Sequence, residues 1–216
     1  MGQEALTRGR FITLEGGEGA GKSTQVARLV AALAVAGIDA LATREPGGAA
    51  GAEEIRKLLV EGDPGRWDAI GEALLMVAAR RCHLTATVWP SLERGRWVVS
   101  DRFADSTLAY QGSAGGVPRA DLALLHRLIA GDFTPDLTLI LDLPVELGLA
   151  RAQERPGAET RFERKPRDFH EKLRQGFLEI GHREPQRCAV IDAARDVDTV
   201  HRAVLAAVRE RLQVKV

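Results

Sequence analysis

The segment GGEGAGKST, residues 16–24, is the strongest indication of the fold of this chain. It follows an apolar run at residues 11–14 and matches the pattern G-x-x-x-x-G-K-[S/T] at every fixed position, with a helix-forming run behind it. The glycines let the chain bend tightly around an anion, so that backbone N–H groups and the start of the helix point at phosphate oxygens. In such a loop Lys22 reaches the β and γ phosphates, and Ser23 holds Mg²⁺ through its hydroxyl. The sequence therefore predicts a nucleotide-binding loop.

Short apolar runs alternate with helix-length amphipathic stretches along the whole chain. This alternation is typical of a parallel sheet with helices on both faces. Together with the loop it predicts an α/β fold of the P-loop NTPase type, with three layers and a five-stranded parallel sheet. The predicted strands are residues 11–15, 40–43, 97–100, 137–143 and 189–191. The predicted helices are residues 24–36, 53–60, 70–89, 121–130, 145–155, 168–183 and 199–212.

The size and charge of the chain limit its organisation and its partners. It has 216 residues, and 30 Lys and Arg balance 30 Asp and Glu. This length predicts a single domain, residues 1–216, with a core of its own. Because the net charge is zero, there is no general basic field, and we expect neither nucleic acid nor a membrane as a partner. Phosphate recognition must then come from local sites.

The sequence gives no sign of export or of membrane insertion. Residues 1–10 lack the apolar core of a signal peptide, and no 18 apolar residues run without a charge, so we expect a cytoplasmic protein. Cys82 and Cys188 are isolated, so neither a disulfide framework nor a zinc knuckle is indicated. Cys82 stands beside His83, but adjacent residues rarely chelate one metal ion, which favours ordinary packing.

A phosphate loop alone does not define a function. GTPase switches, partition ATPases, motors and small-molecule kinases all contain one. A GTPase would normally carry an Asn-Lys-x-Asp guanine reader, whereas this chain contains no asparagine. The guanine-switch class is therefore disfavoured, and the other classes stay open at this point.

Two stretches at strand ends indicate a second phosphorylated ligand. TREPGG, residues 43–48, ends a predicted strand, so Arg44 should point toward the phosphate loop, and its planar fork suits a phosphate monoester. WVVSDRF, residues 97–103, places Asp101 at another strand end, where an acidic residue commonly contacts the Mg²⁺ shell. The alternative is that Asp101 only caps the next helix. Arg102 follows directly.

A third stretch, MVAARR, lies on a predicted helix at residues 76–81. Arg80 is there one turn past Met76 and on the same face of the helix. An arginine on a helix is most often simply solvated, and Met76 could be only part of the core. The choice between these interpretations depends on the rest of the chain.

Six stretches, taken in order, resemble the thymidylate kinases, which transfer the γ-phosphoryl group of ATP to dTMP. They are FITLEGGEGAGKSTQ, TREPGG, LLMVAARR, DRFADSTLAYQG, GDFTPDLTLILDL and GLARAQER. The resemblance covers nearly the whole chain, and DRFADSTLAYQG together with REPGG is highly specific among nucleotide kinases. It implies Mg²⁺-dependent formation of dTDP from dTMP and ATP, a step in dTTP synthesis.

The resemblance implies a donor side and an acceptor side. ATP would bind the loop residues Gly16, Gly17, Glu18, Gly19, Ala20, Gly21, Lys22, Ser23 and Thr24. The acceptor would bind Glu18, Arg44, Pro46, Met76, Arg80, Arg102, Ser106, Thr107, Tyr110 and Gln111. Lys22 and Arg102 would act on the transferred phosphoryl group, and Asp101 would act through Mg²⁺ together with Ser23.

Within the acceptor side, the resemblance implies finer roles. Glu18 would contact the 3′-hydroxyl of the sugar, Arg44 the phosphate of dTMP, and Arg80 a carbonyl of thymine. Thr107 would read the Watson–Crick edge of the base. The ring of Tyr110 would crowd the 2′ carbon and so favour deoxyribose over ribose.

Two positions depart from the family pattern. The family usually stacks thymine on a Phe where this chain has Met76, and it has a Gln where this chain has Cys82. A methionine can still cover the face of a base with its polarisable thioether. The departure keeps open a kinase for another pyrimidine monophosphate such as dUMP. A switch or partition ATPase, which would need no acceptor phosphate, is the alternative from another class.

A basic segment at residues 155–167, RPGAETRFERKPR, corresponds to the lid of the family. By composition alone a solvated loop would be favoured. One branch of the family carries an arginine inside the phosphate loop, where this chain has Gly19, so the resemblance implies that the lid supplies the missing charge. Arg155 and Arg161 are the candidates for this role, followed by Arg151 on the preceding helix.

The resemblance also implies a homodimer, for which the predicted helix at residues 70–89 could supply the interface. Sequence alone does not separate an interface from core packing on that helix. Arg195, after the last predicted strand, is a candidate to lie near the adenine of ATP.

Overall fold

The structure, a computed structural model, describes residues 8–63, 65–154 and 160–216. Five strands form one sheet in the order β2-β3-β1-β4-β5, and every neighbouring pair is parallel. The strands are β1 (Phe11–Glu15), β2 (Ala40–Arg44), β3 (Trp97–Asp101), β4 (Leu137–Asp142) and β5 (Cys188–Asp192). The predicted α/β fold with a five-stranded parallel sheet is confirmed.

Ten α-helices are found in the described ranges. They are α1 (Lys22–Val35), α2 (Ala50–Val60), α3 (Ala69–His83), α4 (Trp89–Glu93), α5 (Ala104–Thr107), α6 (Arg119–Ala130), α7 (Val145–Gln153), α8 (Thr160–Glu163), α9 (Arg167–Arg183) and α10 (Val197–Leu212). Two π-helical segments, Leu84–Val88 and Leu108–Ala114, continue α3 and α5. Each segment follows an α-helix without a break.

The sheet has a core on each face, because successive side chains of a strand point to opposite sides. On one face Ile12 and Leu139 pack with Leu29 of α1 and Val204 of α10. On the other face one cluster joins Phe11 to residues of the first π-helical segment and α4, and another joins Ile140 to α9 and to the second π-helical segment. Helices therefore cover both faces, as the apolar runs of the strands predict.

The register of the sheet brings the functional strand ends to one edge. Arg44 of β2 is paired with Asp101 of β3, and Asp101 is paired with Leu14 of β1. Glu15, the last residue of β1, is paired with Ile140 of β4. The phosphate loop leaves β1 at this edge, so the second strand, the third strand and the loop all face the same crevice.

One predicted helix is divided into three segments, and one helical stretch was not predicted. The predicted helix at residues 70–89 is α3, a π-helical turn and the start of α4, and its last residue, Trp89, begins α4. Residues 104–114, which were not predicted to be helical, form α5 and the second π-helical segment. Helical periodicity does not reveal a π-turn, because one extra residue in the turn shifts every later side chain.

Within the described ranges no helix has both the length and the apolar character needed to cross a bilayer. Cys82 and Cys188 are both free thiols, as their isolation in the sequence predicts. Burial raises the pKa of Cys188 to about 12, which makes it an unreactive core thiol.

Candidate active site

A cleft of about 360 Å³ lies at the carboxyl ends of β1, β2 and β3. The phosphate loop forms one wall, and α3, the second π-helical segment and α8 form the others. All ten predicted acceptor residues line it, namely Glu18, Arg44, Pro46, Met76, Arg80, Arg102, Ser106, Thr107, Tyr110 and Gln111. The structure therefore gathers in one place residues that are spread over almost a hundred positions of the sequence.

The phosphate loop has the backbone that the motif requires. Gly16, Gly19 and Gly21 have positive φ angles of 133°, 67° and 83°, and α1 begins at Lys22. The Lys22 ammonium donates hydrogen bonds to the carbonyls of Gly16 (3.1 Å) and Gly17 (2.7 Å). Burial and the neighbouring Arg102 lower the pKa of Lys22 to about 8. The loop thus holds a cation above the start of a helix, which is an anion-binding arrangement.

The loop is locked against α7 through two glycines. A Cβ atom added to Gly19 would lie 1.9 Å from the carbonyl oxygen of Gly148, and one added to Gly148 would lie 2.5 Å from the carbonyl oxygen of Glu18. No side chain, including an arginine, fits at position 19 unless α7 moves. A loop arginine is therefore excluded in this arrangement, as the sequence at this position already indicates.

Ser23 and Asp101 stand together at the base of the cleft. The Ser23 hydroxyl donates to Asp101 Oδ2 at 2.5 Å. A hydroxyl and a single carboxylate beside a phosphate loop suit Mg²⁺, which keeps several waters and takes its other ligands from substrate phosphates. The donor set on this edge of the sheet therefore fits the metal ion that the loop motif predicts.

Arg102 lies between the phosphate loop and the other predicted acceptor residues, which together form what we call the acceptor wall of the cleft. Its guanidinium donates to the carbonyl of Gly16 (3.0 Å) and to Ser106 Oγ (3.2 Å), and it pairs with Glu18 at 3.3 Å. Its backbone is left-handed, with φ 72°, a conformation that costs an ordinary residue roughly 1–2 kcal/mol. Two bonds hold it there, from its N–H to the Leu14 carbonyl and from Ser100 to its own carbonyl. Strain of this kind is typical of functional positions.

Glu18 presents an ionised carboxylate to the cleft. Burial would raise its pKa, but the charges of Arg102 and Lys22 and the hydrogen bond from Tyr110 outweigh burial and hold the pKa below its usual value. The Arg102 guanidinium also lies over the Tyr110 ring, 4.9 Å from the centroid. Glu18, Arg102 and Tyr110 thus contact one another directly.

Arg80 is fixed by a buried network that includes two residues the sequence did not single out. Its Nε donates to Glu45 at 2.7 Å, and its Nη2 donates to Thr107 Oγ1 at 2.9 Å. The other Glu45 oxygen is hydrogen-bonded to His83 Nδ1, and His83 Nε2 is hydrogen-bonded to Thr43 Oγ1 at 2.7 Å. Arg80 is only 2% exposed, so the solvated-helix alternative for this arginine is wrong.

Arg44 occupies the open side of the cleft. It pairs with Glu53 at 3.0 Å, and the side chain is half exposed. An exposed ion pair of this kind is weak, so Arg44 can turn to a phosphate without a large cost. Met76 also lines the cleft.

The candidate lid arginines lie in different surroundings. Arg155 lies outside the described residues. Arg151 donates to the carbonyls of Ala193 (2.8 Å) and Ala194 (3.2 Å). Arg195, which is the candidate for the adenine side and not for the lid, pairs with Asp192. Arg161 is 1% exposed and pairs with a buried carboxylate, and it does not line the cleft. The structure therefore does not bring Arg161 to the phosphate loop.

Glu15 is a second buried carboxylate that the sequence did not single out. It ends β1 beneath the loop and accepts hydrogen bonds from the backbone N–H of Phe103 (2.7 Å) and from Ser106 Oγ (2.6 Å). Burial, and after it the negative charge of Asp105, raise the pKa of Glu15 to about 7. Glu15 thus supports the strand-to-helix turn that carries Arg102.

We expect the contribution of Glu15 to the free energy of unfolding to decrease as the pH rises from 4.5 to 7. In this window the folded protein keeps a proton on Glu15 that the unfolded chain has released, so raising the pH favours unfolding. The Glu15→Gln variant should lose this part of the pH dependence, as measured by urea unfolding at several pH values. Gln in place of the exposed Glu93 is the control. If the free energy of unfolding of Glu15→Gln depended on pH in the same way as that of the wild type, the raised pKa of Glu15 would be contradicted.

Comparison with known proteins shows what the chain resembles over nearly its whole length. A sequence profile of the family described as thymidylate kinase matches residues 14–204. The chain is 55% identical over 207 residues to the thymidylate kinase of Caulobacter vibrioides, with 96% of this chain and 99% of the relative covered. It is 52% identical over 211 residues to that of Nitrobacter hamburgensis, with 97% and 92% covered.

Solved structures show the same likeness. The crystal structure of thymidylate kinase from Ehrlichia chaffeensis matches with a TM-score of 0.74 and 32% sequence identity, with 93% of this chain and 99% of that chain covered. The similarity therefore extends over nearly the whole length of both chains.

Proposed function

This chain belongs to the thymidylate kinase family, and we infer that it transfers the γ-phosphoryl group of ATP to dTMP, giving dTDP and ADP. It is a phosphotransferase of nucleotide biosynthesis. The observation that carries this conclusion is the cleft in which the phosphate loop and the ten predicted acceptor residues meet. A switch or partition ATPase would have no use for the acceptor wall.

Arg102 supports the transfer by its position between two anions. ATP and dTMP repel each other, and charge spreads over the transferred group in the transition state. A guanidinium held against both the loop and the acceptor wall offsets this repulsion, and it needs no reorganisation during the reaction. No protein general base is needed, because a phosphate oxygen of dTMP is already an anionic nucleophile.

The acceptor wall supplies the parts that a deoxynucleotide needs. We propose that the ionised Glu18 accepts a hydrogen bond from the 3′-hydroxyl while Tyr110 crowds the 2′ position. Arg80, held by Glu45, would donate to a base carbonyl beside Thr107. Arg44 would leave Glu53 to bind the phosphate of dTMP. The contacts of Glu18, Tyr110 and Arg80 support the proposal, since each of these three side chains is already oriented by a neighbour.

Mg²⁺ is the proposed cofactor, with Ser23 and Asp101 as the residues that would hold it. When bound, it would neutralise phosphate charge and orient the oxygens of ATP. The fit of one hydroxyl and one carboxylate to this ion supports the proposal. Lys22, at the adjacent position, would release the Gly16 and Gly17 carbonyls to contact the β and γ phosphates.

Assembly is proposed from the exposed apolar side chains of two helices. We propose a homodimer, for which α3 and α6 offer exposed apolar side chains. These are Ile70, Leu74, Leu124 and Leu128. Apolar side chains on neighbouring helices are typical of a subunit interface. A cytoplasmic location stays a prediction from the sequence, and so does a charge supplied by Arg155.

Release of ADP with ATP, Mg²⁺ and one acceptor at a time tests the function. The acceptors are dTMP, dUMP, dCMP, dGMP and UMP, with an acceptor-free control. We expect strong turnover with dTMP, a much lower rate with UMP because of Tyr110, and little ADP without an acceptor. A preference for dUMP would move the assignment to another pyrimidine kinase. Equal ADP release without any acceptor would instead favour a switch or partition ATPase.

A further inference from the structure

Arg161 is fastened to the acceptor side of the protein by several buried contacts. From α8 its guanidinium donates to Glu72 Oε1 at 2.5 Å, to the carbonyl of Leu59 at 3.0 Å and to the carbonyl of Asp63 at 3.2 Å. Leu59 lies near the end of α2, and Glu72 lies in the first turn of α3. The side chain therefore ties α8 to two helices that border the acceptor wall.

Glu72 connects Arg161 to Gln111, a residue that lines the cleft. Its second oxygen accepts a hydrogen bond from Gln111 Nε2 at 3.1 Å, and the residue is 5% exposed. A carboxylate that is paired with an arginine only accepts hydrogen bonds, so the NH₂ group of Gln111 must face it. The amide oxygen of Gln111 then faces away from Glu72. It is buried and has no hydrogen-bond partner in the part of the chain that the structure describes.

The neighbours of Arg161 on α8 reach the cleft directly. Phe162 and Glu163 both line it. The Phe162 ring meets the Tyr110 ring edge-on at 5.5 Å, and the Arg161 guanidinium lies 5.0 Å from the centroid of the Phe162 ring. The position of Arg161 thus sets where Phe162 lies against Tyr110.

We propose that Glu72 and Arg161 are positioning residues for the acceptor nucleotide. The Glu72 carboxylate has two roles. One oxygen holds α8 in place through Arg161, and the other fixes the amide of Gln111 in the cleft. Arg161 then acts on binding of the acceptor and does not contact the transferred phosphoryl group. The inference rests on the proposed dTMP kinase activity, and it replaces the prediction from sequence that Arg161 supplies transition-state charge.

The test separates an effect on dTMP from effects on ATP and on turnover. In Arg161→Lys a single ammonium replaces a fork that bonds three acceptors, and in Glu72→Gln the ion pair is lost. For both we expect KM for dTMP, and Kd for dTMP by calorimetry, to rise roughly 10- to 100-fold. KM for ATP should stay within about twofold, and kcat should fall by less than KM for dTMP rises.

A double variant distinguishes positioning from folding. Breaking a buried ion pair destabilises a protein, whereas apolar residues of similar volume in place of both partners are often tolerated. Glu72→Leu combined with Arg161→Met should therefore recover the melting temperature that either single change lowers. Because Gln111 stays unanchored, KM for dTMP should remain high in the double variant. Recovery of both values together would show that the pair is only structural.

An exposed pair of the same chemistry is the control. Glu179 and Arg183 form an i,i+4 pair on α9, and both side chains are about half exposed. Glu179→Gln and Arg183→Lys should leave all three kinetic constants unchanged. The inference is overturned if Arg161→Lys lowers kcat while KM for dTMP is unchanged, which would place Arg161 at the phosphoryl group. Absence of dTMP turnover in the wild type would instead refute the proposed function.

Discussion

The Arg102→Met variant is expected to lose roughly a thousandfold in kcat. Arg102 contacts the loop at Gly16 and the acceptor wall at Glu18 and Ser106, so we propose that it is the cation between the two phosphate groups. Methionine keeps much of the length of the side chain and leaves the backbone strain as it is. The loss should therefore report on the charge and not on the turn.

Steady-state kinetics with dTMP and ATP measure this effect, with a melting curve to show that the variant is folded. Arg102→Lys is the matched comparison, because it keeps the charge but loses the planar fork. It should lie between the wild type and Arg102→Met. A decrease in kcat of less than about tenfold in Arg102→Met would contradict the central role given to this residue.

The Lys22→Met variant is expected to lose roughly 100- to 1,000-fold in kcat/KM for ATP. Lys22 lies at the N-terminus of α1, where the helix dipole is positive. Burial and the neighbouring Arg102 lower its pKa to about 8, so the charged form of Lys22 is disfavoured in the absence of phosphate. A bound polyphosphate would restore that charge. Methionine fits the same space but cannot attract the phosphates.

Equilibrium binding shows whether the loss is confined to the donor. Kd for ATP should rise strongly in Lys22→Met, whereas Kd for dTMP, measured without ATP, should change by only a few-fold. As a matched control, Met in place of the exposed Lys57 on α2 should alter neither constant. An equal loss of affinity for both nucleotides would indicate that the loop has collapsed.

The sheet could be predicted from sequence because a parallel strand is buried on both faces and reads as a short apolar run. Phe11–Glu15 matches the prediction at both ends, and the other strands differ by one or two residues. The phosphate loop could be predicted for a different reason. Its glycines and Lys22 are close together in the sequence and form one turn of the backbone. Their spacing in the sequence is therefore enough to predict the shape of the loop.

Contacts between distant residues could not be predicted in this way. Glu15 and Glu72 look like ordinary charged residues, and only the fold shows that both are buried and bonded to groups far along the chain. Arg161 illustrates the limit most clearly. Its place in a basic segment suggested a phosphate ligand, but its partner Glu72 lies 89 residues away on another helix.

The close approach of Gly19 and Gly148 also limits how the charge of this loop can be changed. An arginine introduced at position 19 would place its first side-chain carbon 1.9 Å from the carbonyl oxygen of Gly148. The helix that carries Gly148 would have to shift before that side chain could enter the loop. A chimera that exchanges only the loop is therefore expected to disturb α7, and a matched exchange would have to include α7 as well.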